Sequence, residues 1–189
     1  TARALEQIKN DVCYSDNPVK LVGISAGVSY GALGSTHHAI HDIAVLRAIN
    51  NIAIIIPADN FETRWAVKKA SYIDQPVYIR FGKKPVFHLH PPDAILELGK
   101  AATVREGNDI AFIATGETVW RALKASEHLG REGIRCRVLS MHTVKPLDRE
   151  AIIKAGKECS AIVTVEEHRI SGGLGEACAG VLMQAGVTV

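Results

Sequence analysis

Short apolar runs alternate with segments of helical period along this chain, and turn residues mark the junctions. An amphipathic helix is predicted over Ala2 to Tyr14, followed by a strand over Val19 to Ile24. After a glycine-rich loop, Ile40, Ile43, Ala44 and Arg47 recur at helical spacing and place a helix from His38 to Ile49. Ile52 to Ile56 reads as a strand closed by Pro57, and Asp59 or Asn60 can cap a helix from Phe61 to Tyr72. Gln75-Pro76 then introduces a strand from Val77 to Phe81. Three βα-type repeats with continuous apolar strands predict a parallel sheet covered on both faces.

Residues 82–93 hold three prolines, which resist both helix and sheet. The pattern beyond them starts again, with strands predicted at Ile110–Thr115, Arg135–Ser140 and Ala161–Val165. Helices are predicted at Val119–Arg131, Asp148–Lys157 and Leu174–Gln184. The organisation is therefore two α/β units, residues 1–82 and 94–189, joined by a linker at 83–93. The chain opens directly into a helix and stops at Gly186-Val187-Thr188-Val189, the first residues of a strand, so it reads as a fragment.

Composition narrows the partners. With 47% hydrophobic and 22% charged residues, the 189-residue chain is ordinary for a soluble globular protein. A net charge of +2 with both signs interspersed leaves no nucleic-acid footprint. No apolar run approaches the roughly 18 residues of a membrane span, and the first residues read as an amphipathic helix rather than a signal peptide. The four cysteines, Cys13, Cys136, Cys159 and Cys178, are far apart and mostly in apolar settings, which fits reduced thiols in the cytoplasm.

Chemistry concentrates in Gly31-Ala32-Leu33-Gly34-Ser35-Thr36-His37-His38. Small residues let a backbone approach a ligand, and loops at the carboxyl ends of parallel strands are where ligands bind. Gly23-Ile24-Ser25-Ala26-Gly27 matches a nucleophile elbow, but a glycine-rich loop follows where a hydrolase wants a helix. Ser25 is better read as a polar residue near substrate. His37 and His41 share a helix face, yet no third ligand group at sensible spacing supports zinc. Gly172-Gly173-Leu174-Gly175-Glu176 could cradle phosphate; helix capping and packing explain it better. Glu166-Glu167-His168 reads as structural, and Asp148 as a helix N-cap.

Taken in order, Gly34-x-Thr36-His37, Pro57-Ala58-Asp59-x-x-Glu62 and a strand ending in Arg80 resemble the later half of the pyrimidine-binding domain of transketolases. Thr143-Val144-Lys145-Pro146-Leu147-Asp148, Thr164-Val165-Glu166-Glu167-His168 and Gly172-Gly173-Leu174-Gly175-Glu176-Ala177 resemble that family's C-terminal domain. The resemblance implies two three-layer α/β/α units with mostly parallel sheets. It also implies two-carbon ketol transfer between a ketose phosphate and an aldose phosphate with thiamine diphosphate, as in pentose phosphate metabolism. Under it, His37 contacts the donor's hydroxyl or carbonyl oxygen as the catalytic residue. Arg80 holds the sugar phosphate, a role that suits a guanidinium, and Ser25 lies beside the substrate.

Two departures stand out. Ala32-Leu33 replaces the family's Glu-Asp, and Ser25 stands where a substrate-binding histidine is usual. The resemblance further implies that the diphosphate and Mg2+ are held by a part outside this chain. A partner supplying the N-terminal section is then needed, a homodimer is expected, and the chain alone is inactive. The same architecture belongs to the β subunit of 2-oxoacid dehydrogenases and to deoxyxylulose-phosphate synthase. A dehydrogenase subunit and a non-catalytic dimerisation module are therefore the alternative readings.

Overall fold

The computed structural model describes residues 2–83 and 87–189, so residues 84–86 of the predicted linker lie outside the described residues. A first helix, α1 (Leu5–Gln7), widens into a π-helical stretch at Ile8–Tyr14. Then come β1 (Lys20–Gly23), two 3-10 turns at Gly31–Leu33 and Ser35–His37, α2 (Asp42–Arg47) and β2 (Ala53–Ile55). α3 (Asn60–Tyr72) and β3 (Val77–Arg80) complete this part. The second unit runs β4 (Ala102–Arg105), β5 (Ile110–Ala114), α4 (Thr118–Arg131), β6 (Cys136–Ser140) and β7 (Thr143–Lys145). It ends with α5 (Arg149–Glu158), β8 (Ala161–Val165) and α6 (Leu174–Gln184). Among the described residues no helix is long and apolar enough to cross a membrane.

Among the described residues two four-stranded, mostly parallel sheets result, ordered β1-β3-β2-β7 and β4-β6-β5-β8. Strand residues alternate between faces, which explains the split cores. Ile54 and Ile56 face Ile8, Ile43 and Leu46, while Ala53 and Ile55 face Ala66 and Ala70 of α3. In the second sheet Ile113 and Leu139 pack toward α5 and α6, and Phe112, Ala114 and Val138 toward α4. The capping prediction resolves to Asp59, whose carboxylate accepts the Glu62 N–H at 2.8 Å.

The departures from the predicted pattern lie at the edges. The helix predicted from His38 shrinks to Asp42–Arg47, preceded by 3-10 turns. Two short strands, β4 and β7, are additional, and each is the antiparallel member of its sheet. β7 belongs in sequence to the second unit but pairs with β2 of the first: Ile54 opposes Lys145, and Ile55 opposes Thr143. Val144 accordingly sits in the first unit's core, and Ala58 sits in the second's. The two units therefore share a sheet and interlock their cores.

Candidate functional site

The loop after β1 and the loop after β3 meet at one end of the first sheet, since Gly23 and Arg80 are register partners. Ala26 N–H donates to Phe81 O at 3.1 Å, stitching the two together. An isolated antiparallel bridge between Gly27 and Ala39 then closes a loop of residues 28–38. Ser25, Gly27, Gly31 and Gly34 all carry positive φ. At Gly27 the requirement is steric as well, because a Cβ there would come 2.1 Å from Glu167 Oε2 and 2.5 Å from Glu167 Cβ.

This closed loop presents His37 to solvent. Its Nδ1 lies 3.0 Å from Thr36 Oγ1, and its ring is 5.6 Å from that of Tyr30. The ammonium of Lys83, from the β3 loop, sits 4.0 Å above the Tyr30 ring. An imidazole, a hydroxyl, a phenol and an ammonium thus converge on the exposed face of one loop. Such a group set can donate hydrogen bonds to sugar hydroxyls and attract an anion. Lys83 has no signal in a single sequence beyond its place three residues past the strand.

Ser25 is buried beneath this loop, at φ +59°. That backbone suits an elbow, but among the described residues no imidazole hydrogen-bonds its hydroxyl, and 3-10 turns follow in place of a helix. Arg80, the residue expected to hold a phosphate, ends β3. It is only 4% exposed. Its Nε donates to Asp42 Oδ2 at 2.8 Å, and its Nη2 donates to Ala39 O at 2.7 Å and Glu167 O at 3.0 Å. Three of its five donors are thus given to fixed protein acceptors.

The remaining motifs have structural duties. Glu166 accepts the N–H groups of Leu174 and Gly175 at 2.6 and 2.8 Å, so the start of α6 is already capped by a carboxylate. His168 accepts from Ala44 N–H at 3.4 Å and contacts Arg169 O at 2.8 Å. Asp148 caps α5 through Ala151 N–H and also accepts Ala101 N–H. Cys13, Cys136, Cys159 and Cys178 are buried free thiols, and burial pushes Cys178 up to about 12. Among the described residues no group of three or more His, Cys, Asp or Glu side chains could hold a metal ion.

Family models match both units: the transketolase pyrimidine binding domain over residues 1–87 and the transketolase C-terminal domain over residues 99–188. The chain belongs to the transketolase family. It is 49% identical to a subunit of the apulose-4-phosphate transketolase of Phocaeicola vulgatus, over 92% of this chain and 56% of the relative. It is 37% identical to the 6-deoxy-6-sulfo-D-fructose transketolase subunit SqwH of a Clostridium species, over 94% of this chain and 55% of the relative. A solved split-gene transketolase, described as an inactive β4 tetramer, superposes with a TM-score of 0.88 at 40% identity, over 96% of this chain and 59% of that one. The chain thus spans a little over half the length of these family members.

Proposed function

We propose that this chain is the C-terminal part of a split-type transketolase that moves a two-carbon ketol unit between sugars ending in an anionic group. The observation that carries this reading is the exposed cluster of His37, Thr36, Tyr30 and Lys83 at the carboxyl ends of β1 and β3. The related subunits are named for a phosphorylated and a sulfonated sugar, and both kinds of anion suit an ammonium. Thiamine diphosphate with Mg2+, held by an N-terminal partner subunit, would supply the electron sink for breaking and making the carbon–carbon bond.

This chain's own contribution is positioning and proton handling. His37 donates to or accepts from the reacting oxygen of the sugar, with Thr36 fixing the orientation of its ring. Lys83 takes the anionic end, in place of Arg80, which is engaged inside the protein. Ser25, buried under the loop, supports its backbone. Copies of the chain associate with each other as well as with the partner, as the β4 assembly of the related protein suggests. Buried reduced thiols suit a cytoplasmic enzyme.

The test is reconstitution. The chain mixed with its N-terminal partner subunit, thiamine diphosphate and Mg2+ should convert a ketose phosphate plus an aldose phosphate. Turnover of pyruvate with a lipoyl acceptor instead would establish the 2-oxoacid dehydrogenase reading.

A further inference from the structure

The closed loop that carries His37 is anchored by groups from three directions, and Arg80 is common to all of them. Tyr78 and Arg80, two apart on β3, point to the same face of the sheet. Both end on one oxygen: Asp42 Oδ2 accepts the Tyr78 hydroxyl and Arg80 Nε, each at 2.8 Å. Burial first, then the Asp42 charge and hydrogen bond, push the Tyr78 phenol well above its usual range, so it remains a donor. The ion pair is nearly dry, at 4% and 2% side-chain exposure. Both bonds fall on Oδ2, while Oδ1 of the same carboxylate is buried with no hydrogen-bond partner among the described residues.

From this anchored position Nη2 reaches two carbonyls. One is Ala39 O, which also receives the Gly27 N–H at 3.0 Å across the bridge that closes the loop. The other is Glu167 O, just past β8 of the second unit. Glu167 presses from the opposite side too, since its side chain occupies the space over Gly27. The neck of the loop is thus held between β3, α2 and the C-terminal unit, and His37 lies two residues from Ala39.

We infer that Arg80 and Asp42 are positioning residues, which lock the neck of the His37 loop to the C-terminal unit and so set the direction in which His37 meets substrate. The C-terminal unit gains a defined part in the site: it supplies the Glu167 carbonyl and side chain that hold the loop from behind. A reacting group displaced by about 1 Å can cost on the order of 10²-fold in rate, so fixing the neck has catalytic value. The kinetic part of this inference rests on the ketol-transfer reading; the structural part does not.

Two measurements separate those parts. The first is amide hydrogen exchange on the 189-residue chain. The double variant Arg80→Met/Asp42→Asn removes both charges together, avoiding an unpaired buried ion, and the asparagine still accepts from Tyr78. Gly27 and Ala39 amides should exchange at least about tenfold faster, as expected for a lost hydrogen bond to a charged donor, while Ile54 and Ile113 are unchanged. Unchanged exchange at Gly27 and Ala39 would overturn the inference. Should the double variant not fold, Tyr78→Phe removes a single hydrogen bond and should quicken the same two amides about threefold; no change there overturns it equally.

The second measurement is steady-state kinetics of the holoenzyme reassembled with its partner subunit. The double variant should lower kcat by the same factor for phosphorylated and unphosphorylated acceptors, with KM for the phosphorylated one moving less than about twofold. A loss confined to phosphorylated acceptors would make Arg80 an anion ligand and overturn the positioning role. A wild-type assembly without ketol transfer overturns the functional proposal instead, and the exchange result alone then decides the lock.

Discussion

His90 Nε2 lies 2.7 Å from Glu62 Oε1, an ion pair buried where the two units meet. The same carboxylate accepts the Ser140 hydroxyl at 2.6 Å and, through Oε2, the Ala58 N–H at 2.6 Å. Glu62 from α3, His90 from the segment between the units and Ser140 from β6 are therefore one network. Burial opposes a charged His90. The hydrogen bond to Glu62 and the charges of Glu62 and Asp59 outweigh that opposition and hold the imidazole above its usual range.

A folded-state value raised above the unfolded one means that stability is gained on protonation. The contribution is complete below the unfolded histidine value of about 6.5 and fades as pH rises through the higher folded value. His90→Gln should therefore cost about 1.5–3 kcal/mol at pH 5.5, the scale of a hydrogen bond to a charged group, and clearly less at pH 9. Urea unfolding at the two pH values checks this. A cost that does not fall with pH would mean that the imidazole stays neutral in the folded protein.

The glycines of the β1 loop should rank by space rather than by φ alone. Gly34 has φ +74°, and a Cβ added there would meet nothing within 4 Å, so Gly34→Ala should lose about 1–2 kcal/mol of backbone preference. Gly27 adds the collision with Glu167, whose own Cβ would be 2.5 Å away and cannot swing aside. Gly27→Ala should cost about 2–4 kcal/mol, combining backbone strain with overpacking. Thermal unfolding of the two variants side by side gives the ranking.

Periodicity alone placed the long helices and the parallel strands, because α3, α4, α5, α6, β5 and β8 carry repeats their local neighbours do not contradict. β4 and β7 escaped it for a physical reason. Thr143-Val144-Lys145 is only three residues long and finds its partner in Ile54 and Ile55 of the other unit, a pairing with no local signature. The site divides in the same way. The glycine loop stood out by its residue types and its place after a strand, and His37 is exposed on it. Arg80 was legible as a charged residue at a strand end, but its burial and its pairing with Asp42, 38 positions away, were not. Lys83 became visible only once the fold set it over Tyr30.

In the proposed reading His37 is the group that touches the reacting oxygen. In the reassembled enzyme His37→Ala should lower kcat by about 10²-fold, the usual scale for one positioned proton-handling group. Ser25→Ala, by contrast, should leave no fluorophosphonate-sensitive activity to lose. If Ser25→Ala abolishes labelling by such a probe together with an esterase activity, the elbow reading replaces the ketol-transfer one.

The cofactor belongs to the assembly rather than to this chain in the proposed reading. Calorimetry of the chain with thiamine diphosphate and Mg2+ should give no binding at micromolar concentrations, and adding the N-terminal partner should restore it. Tight binding by the chain alone would overturn this part of the proposal.

Lys83 gives the sharpest test, because its proposed role depends on the substrate. It is exposed, so its contact with an anion is worth less than a buried ion pair and weakens with salt. Lys83→Ala should lower kcat/KM for acceptors ending in phosphate or sulfonate by roughly 5- to 50-fold, which corresponds to about 1–2.3 kcal/mol. Neutral aldoses, which lack the anion, should change less than about twofold. Raising ionic strength should shrink the wild-type preference for anionic acceptors and leave the variant's preference unmoved. Lys83→Arg should keep most of the preference, since either cation can meet an exposed anion. Measuring both acceptor types at low and high salt decides between ligand and bystander. Equal losses on anionic and neutral acceptors would show that Lys83 acts through Tyr30 on the shape of the loop rather than on the anion itself.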